Sequence, residues 1–377
     1  MGSGSQLGIV LSGGGSRAAF QVGVLKAMVE MKLPIRGSII SGLSAGAINA
    51  AFLGSQIHQP DQATLRLEQL WSSLSTDQVF STRIFDLLKT GFKLIWDLSF
   101  GGIHHHTSTR ALLKTEALRT LLQKHVNIED LRRNIEAGEV AALTMAATDY
   151  SNGESVSFFD TKNLIQPWNR ERRRAQVTQI HIEHVMASSA IPILFPPIAI
   201  GDRFFGDGCL RNASPLSSAI HLGSRKLIIV GVRKQSEAMK RLPDFQMPAF
   251  GRILSVLLNA ILLDTTDFDV ERMSRINETL QLLGKEQKSQ TKLRPIDFVW
   301  ITPSKDIGLM AKQNVHQLPF TLRYLLRGLG SKSESSEIAS YLLFESDFCK
   351  RLIDLGYSDA WARKSELESF FEKSDES

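Results

Sequence analysis

Cysteine is nearly absent from this 377-residue chain, which carries only Cys209 and Cys349. Two such thiols supply neither a disulfide framework nor metal-ligand spacing, which fits a reducing compartment. Long apolar runs are missing too, so no membrane-spanning helix is expected. The opening MGSGSQ lacks the basic region and apolar stretch of a secretory leader, which makes the cytoplasm the expected location. No charge sign dominates: 44 Lys and Arg stand against 39 Asp and Glu. A nucleic-acid partner is therefore not expected. The one sharp basic run, Arg170 with Arg172, Arg173 and Arg174, reads equally as a solvated loop or as a face for an anionic surface. Internal repeats and low-complexity tracts are also lacking.

What is present is an ordinary globular composition, 43% hydrophobic and 22% charged, which excludes disorder outside residues 1–6 and the last few positions. Leu7–Leu11 reads as a buried parallel strand, and the loop SGGGSR follows it. Helical periodicity at Phe20, Val24, Ala27, Met28 and Met31 ends before Pro34. A second strand over 38–41 runs into Gly42, and a small-residue helix begins at Ser44. Strand–helix–strand–helix is the opening of a parallel α/β sheet. Further strands are expected at 140–147, 156–159, 226–232 and 297–302. Helices are expected at 61–75, 109–124, 178–190, 214–222, 250–264, 267–284 and 335–355. The polar stretch SKSESSE, 331–337, reads as an exposed loop.

Gly42, Leu43, Ser44, Ala45 and Gly46 spell G-x-S-x-G, which can hold a serine on a sharp strand-to-helix turn. The same residues could also be an ordinary helix start. The glycine loop Gly13-Gly14-Gly15-Ser16-Arg17 has neither the Lys-Ser/Thr ending of a P-loop nor dinucleotide spacing. Taken together the two say more. One β-α-β unit separates them, so both loops come to the carboxyl ends of adjacent strands. Glycine amides converging on one concavity suit a developing oxyanion, and a serine at a helix N-terminus suits a nucleophile.

A nucleophilic serine needs a base, and none of the nine histidines sits in a convincing context. His181 and His184 read as surface or packing residues of a helix, and the His104-His105-His106 triplet lacks acidic or cysteine partners for a metal site. Asp207, in FFGDGCLRNASP, sits between Gly206 and Gly208 after a short apolar strand. Alone it would be a turn former. The proline-rich SSAIPILFPPI (188–198) upstream suits a rigid pocket wall.

With GGGSR, GLSAG, ASSAIPILFPP and GDGCLRN in this order, the chain resembles the patatin-like phospholipase family. The resemblance implies a three-layer α/β/α sandwich with a mostly parallel central sheet. The resemblance covers about 7–232 and implies a catalytic domain there; 233–377 matches no motif and is expected to complete the fold with a mainly helical C-terminal extension and a strand near 297–302. It also implies a Ser–Asp dyad without histidine: Ser44 as nucleophile in an elbow framed by Gly42 and Gly46, Asp207 as base. Gly13, Gly14 and Gly15 with Arg17 would form the oxyanion loop. No cofactor and no metal are implied. The substrate class would be membrane phospholipid or another acyl lipid, met at a peripheral membrane surface. Two positions depart from the family pattern, Ala18 after the arginine and Cys209 after Asp207-Gly208. Both are small, so the backbone path is expected to survive.

Two segments could meet lipid. IFDLLKTGFKLIWDLSFGGI (84–103) is amphipathic and aromatic-rich, with membrane contact and core packing equally open. FGRILSVLLNAILL (250–263) is expected to pack in the core. The rival readings are an acyltransferase on the same dyad, an α/β-hydrolase triad using His221, and a non-catalytic lipid- or phosphate-binding module. Phospholipase A and lysophospholipase activities are not distinguished, and oligomeric state is left open.

Overall fold

The computed structural model describes residues 6–81, 113–212, 214–235, 250–328 and 332–372. Ten strands form one sheet: β1 (Gln6–Leu11), β2 (Ser38–Gly42), β3 (Val140–Asp149), β4 (Glu154–Asp160), β5 (Asn169–Arg170), β6 (Arg173–Val177), β7 (Ile198–Ile200), β8 (Arg203–Asp207), β9 (Ser224–Val230) and β10 (Asp297–Ile301). Their order is β10-β9-β1-β2-β3-β4-β6-β5, with β8 on β3 and β7 on β8. From β10 to β3 every pairing is parallel, and the antiparallel pairs gather around β3, β8 and the β5–β6 hairpin. β1 and β2 are buried on both faces, which is why they read as apolar runs without alternation.

Helices cover both faces, giving the three-layer α/β/α arrangement. One face carries α1 (Ala19–Glu30), α2 (Ala45–Gln56) and the C-terminal helix Ser346–Ala362. The other packs Leu216, Ala219 and Leu222 beside Val270 and Met273 of the helix Asp264–Leu282. The C-terminal helices belong to the main core. A side chain at Gly23 of α1 would strike the Ile353 carbonyl, and one at Gly356 would strike the Phe20 carbonyl. Glycine at both places lets the two backbones touch. Phe348, Leu352 and Ile353 are then fully buried, each contributing about 1.5–3 kcal/mol.

Three sequence expectations change. Residues 332–337 are not a loop: the helix Lys332–Leu342 runs through them, and Glu337 at its centre takes a buried arginine, described below. The helix expected over 335–355 breaks at 343–345. There Phe344 leaves the helical path to pack between Trp71 and Phe80, at 6.1 and 6.2 Å between ring centroids. Glu345 accepts hydrogen bonds from the Thr76 amide and hydroxyl. The helix Phe250–Leu262 is only half a core helix. Leu254, Leu258 and Ile261 pack inward, while Ile253, Val256 and Leu257 are about half exposed. Segment 84–103 and His104–His106 lie outside the described residues.

Candidate active site

Strand register explains why two residues 163 positions apart meet. β2 pairs with β3 as far as Gly42 opposite Met145. β8 takes over the same edge of β3 two residues later, with Asp207 opposite Ala147. The carboxyl end of β2 and the end of β8 therefore abut, and Ser44 Oγ donates to Asp207 Oδ2 at 2.5 Å.

Ser44 stands at the N-terminus of α2 with φ 52° and ψ −126°. A non-glycine residue in that region costs about 1–3 kcal/mol and persists only where its surroundings fix it. Here the Leu43 amide donates to the Leu11 carbonyl at 3.0 Å and the Gly46 amide to the Leu43 carbonyl at 2.9 Å. The Ser44 amide donates to the Ser188 hydroxyl at 3.2 Å. Gly46 is required by space: a side chain there would run into the Leu11 and Ser12 carbonyls at the end of β1. The turn thereby aims Oγ away from the helix, with the positive end of α2 behind it.

Asp207 is fully buried. Burial pushes its carboxyl up to about 6, although hydrogen bonds from Ser44 and Cys209 pull in the opposite direction. Its Oδ1 accepts from the Cys209 amide at 2.8 Å, and its carbonyl accepts from Thr148 Oγ1 at 2.8 Å. Phe205, two residues earlier on the same face of β8, is buried, whereas Phe204 is half exposed and faces away. A carboxylate hydrogen-bonded to a serine hydroxyl and poised near neutrality can take that proton.

The glycine loop lies beside the pair. A side chain at Gly13 would press on Ser44 Cβ at 3.1 Å and on the Cys209 sulfur. Gly14 has φ 149° and Gly15 φ 58°, a backbone path that other residues rarely follow. Among the described residues no hydrogen bond leaves the Gly13 or Gly14 amide. Arg17 goes elsewhere: its guanidinium is buried, bonded to Glu337 at 2.6 Å and to the Ser340 hydroxyl, and it covers the Tyr341 ring at 4.4 Å. Its side chain ties the glycine loop to the helix Lys332–Leu342. Gly42 packs against Gly46 and Ala47 and leaves no space for a side chain.

No histidine is hydrogen-bonded to Ser44 among the described residues. His184 packs its ring against Phe158 at 4.7 Å and accepts from the His181 amide; burial holds it neutral, down to about 4. His221 stacks on Trp168 at 4.8 Å. No group of three His, Cys, Asp or Glu among the described residues could hold a metal ion. Ser188 and the Cys209 amide were given no role by the sequence. A serine ending a helix and a backbone N–H carry no signal of their own.

A family model described as patatin-like phospholipase matches residues 9–220, more than half of the chain. The chain belongs to the patatin-like phospholipase family. That membership supports a lipid acyl hydrolase in general terms. This patatin-like chain is also similar to VipD from Legionella pneumophila, at 12% identity and TM-score 0.31, over 94% of this chain and 67% of that one. It is similar to human GIVD cytosolic phospholipase A2, solved with methyl gamma-linolenyl fluorophosphonate, at 12% identity and TM-score 0.43. That match covers 98% of this chain and 60% of the human one, so the chain spans under two thirds of its length. No curated protein sequence matches the chain. No helix among the described residues is long and apolar enough to cross a membrane.

Proposed function

We propose that the protein is a phospholipase A or lysophospholipase type of acyl hydrolase working through a Ser44–Asp207 dyad. The reading rests above all on the 2.5 Å hydrogen bond between Ser44 Oγ, in its strained turn, and the buried Asp207. In this mechanism Asp207 accepts the hydroxyl proton as Oγ attacks the ester carbonyl. The developing oxyanion meets the Gly13 and Gly14 amides, and a lost donor of that kind typically costs about a hundred- to a thousandfold in rate. The carboxyl then returns the proton to the departing alcohol. Water, giving a proton to the same carboxylate, attacks the acyl-serine; the carboxyl passes that proton to the departing Ser44 Oγ as the fatty acid is released.

Ser44 is 1% exposed, so substrate reaches it only when the covering elements part. The helix Phe250–Leu262 is the element suited to that movement. It touches the turn after Asp207, Leu263 just beyond it lies against Gly14, and its outward face presents Ile253, Val256 and Leu257. An apolar lipid surface would favour displacing such a helix outward. Peripheral association with membrane, from the cytoplasmic side, follows from this reading.

Fatty-acid release from vesicles of phosphatidylcholine, lysophosphatidylcholine or diacylglycerol is the test. Release is expected from at least one lipid, falling at least about a thousandfold in Ser44→Ala. Undiminished release by that variant would overturn the dyad.

A further inference from the structure

The basic run 170–174 divides into two faces. Arg174 pairs with Asp149 and Glu154, both at 3.4 Å, and Arg172 approaches Glu171. Arg170 and Arg173 are different. They are directly opposite each other in the β5–β6 hairpin, and neither has an ion pair among the described residues. Like charges placed opposite across strands destabilise a hairpin unless something neutralises them.

The surroundings of that pair are built from donors. Together with Trp168, the two arginines border a small cleft lined by Ser155, Asn212 and Ser217. Ser155 is 2% exposed and presents its hydroxyl at the cleft. Beside it Ser157 and Ser218 share a hydrogen bond at 3.0 Å. Trp168 is fixed by stacking between Phe159 and His221. Asp269, on which Arg173 also acts, accepts from the Leu216 amide and from Arg272, so its charge is already matched. His221 reports the local field: burial first, then Arg170, Arg173 and Arg294, push its proton affinity down.

We propose that the mouth of this cleft binds a phosphomonoester, whose two negative charges answer the Arg170–Arg173 pair and whose innermost oxygen points toward the serine and asparagine side chains. Two unpaired guanidinium groups favour a dianion over a singly charged phosphodiester. The cleft is close to the dyad without being part of it. Asp207 and Val156 flank Ala147 on opposite edges, about 10 Å apart by strand spacing, and Ser155 and Ser157 adjoin Val156 on the far face. The phosphate could come from a lipid headgroup or from a free phosphorylated molecule.

The test uses the full chain carrying Ser44→Ala, so that no lipid is consumed and the hydrolase reading stays separate. Inorganic phosphate is expected to raise the thermal midpoint of this parent and of Arg172→Ala. It is expected to leave Arg170→Gln/Arg173→Gln unmoved, with phosphate affinity at least about tenfold lower. That double variant, relieved of repulsion, is expected to melt no lower than the parent without phosphate, which excludes misfolding as the cause. Co-sedimentation with vesicles containing phosphatidic acid or phosphatidylglycerol at equal surface charge identifies the source. Preference for phosphatidic acid, lost in the double variant, supports a lipid headgroup. A phosphate response without that preference supports a free phosphorylated ligand. Absence of any phosphate response, or an equal response in the double variant, overturns the site.

Discussion

Asp207 holds its carboxyl in a place that penalises its charge, and replacing it by asparagine makes the penalty measurable. The amide can still accept from the Cys209 amide and can donate to Ser44 Oγ, so the geometry survives. In the folded protein the carboxyl is pushed from its ordinary 3.8 up to about 6, chiefly by burial. Below the lower value both folded and unfolded chains carry the proton, and the charge penalty is absent. Between the two values the unfolded chain releases its proton while the folded chain keeps it, so wild-type stability falls as pH rises. Above about pH 6 the loss is complete and amounts to about 3 kcal/mol. Asp207→Asn escapes this loss. Its unfolding free energy, from denaturant titrations, is expected to exceed that of wild type by up to about 3 kcal/mol above about pH 7 and by little below about pH 4. A difference that stays constant across the range, or that favours wild type at high pH, would refute the assignment of a raised, buried carboxyl. Such a gain with loss of activity is the exchange expected where a functional group is held in a destabilising place.

Two further outcomes follow from the same geometry. A base near 6 predicts that kcat/KM for ester hydrolysis rises about tenfold from pH 5 to pH 7 with a single inflection; a flat profile down to pH 4 would contradict it. Arg17→Ala strands Glu337 and removes the contact with Tyr341, so unfolding free energy should fall by about 3 kcal/mol or more, read by denaturant titration. A catalytic defect at unchanged stability would instead point to a direct role in the oxyanion loop.

Much of the fold is written in short-range pattern. The first two strands and both glycine-rich turns are legible because buried parallel strands are unbroken apolar runs and the turns need residues without side chains. Asp207 is harder. Its partner is set by the handover from β2 to β8 along β3, a long-range register with no local mark, so the motif order of a known family is what pointed to it. The helix Ile128–Ala137 escapes periodicity because its buried apolar residues, Leu131 and Ile135, are few, although Asn127 caps its start and Gly138 ends it with φ 81°. The break at 343–345 is invisible locally, since Phe344 leaves the helical path for Trp71 and Phe80, both more than 260 positions away. Arg17 carries a long-range contact that the sequence does not mark. Its guanidinium holds a helix more than 300 residues distant, a pairing that no local pattern announces.

The central claim is that Ser44 is a nucleophile whose proton goes to Asp207, and covalent labelling tests it most directly. Wild-type protein mixed with lipid vesicles and a fluorophosphonate is expected to gain one phosphonyl group, mapped by peptide mass spectrometry to Ser44. Asp207→Asn should label at least about a hundredfold more slowly. Labelling on another residue, or an equal rate in the asparagine variant, would contradict the account.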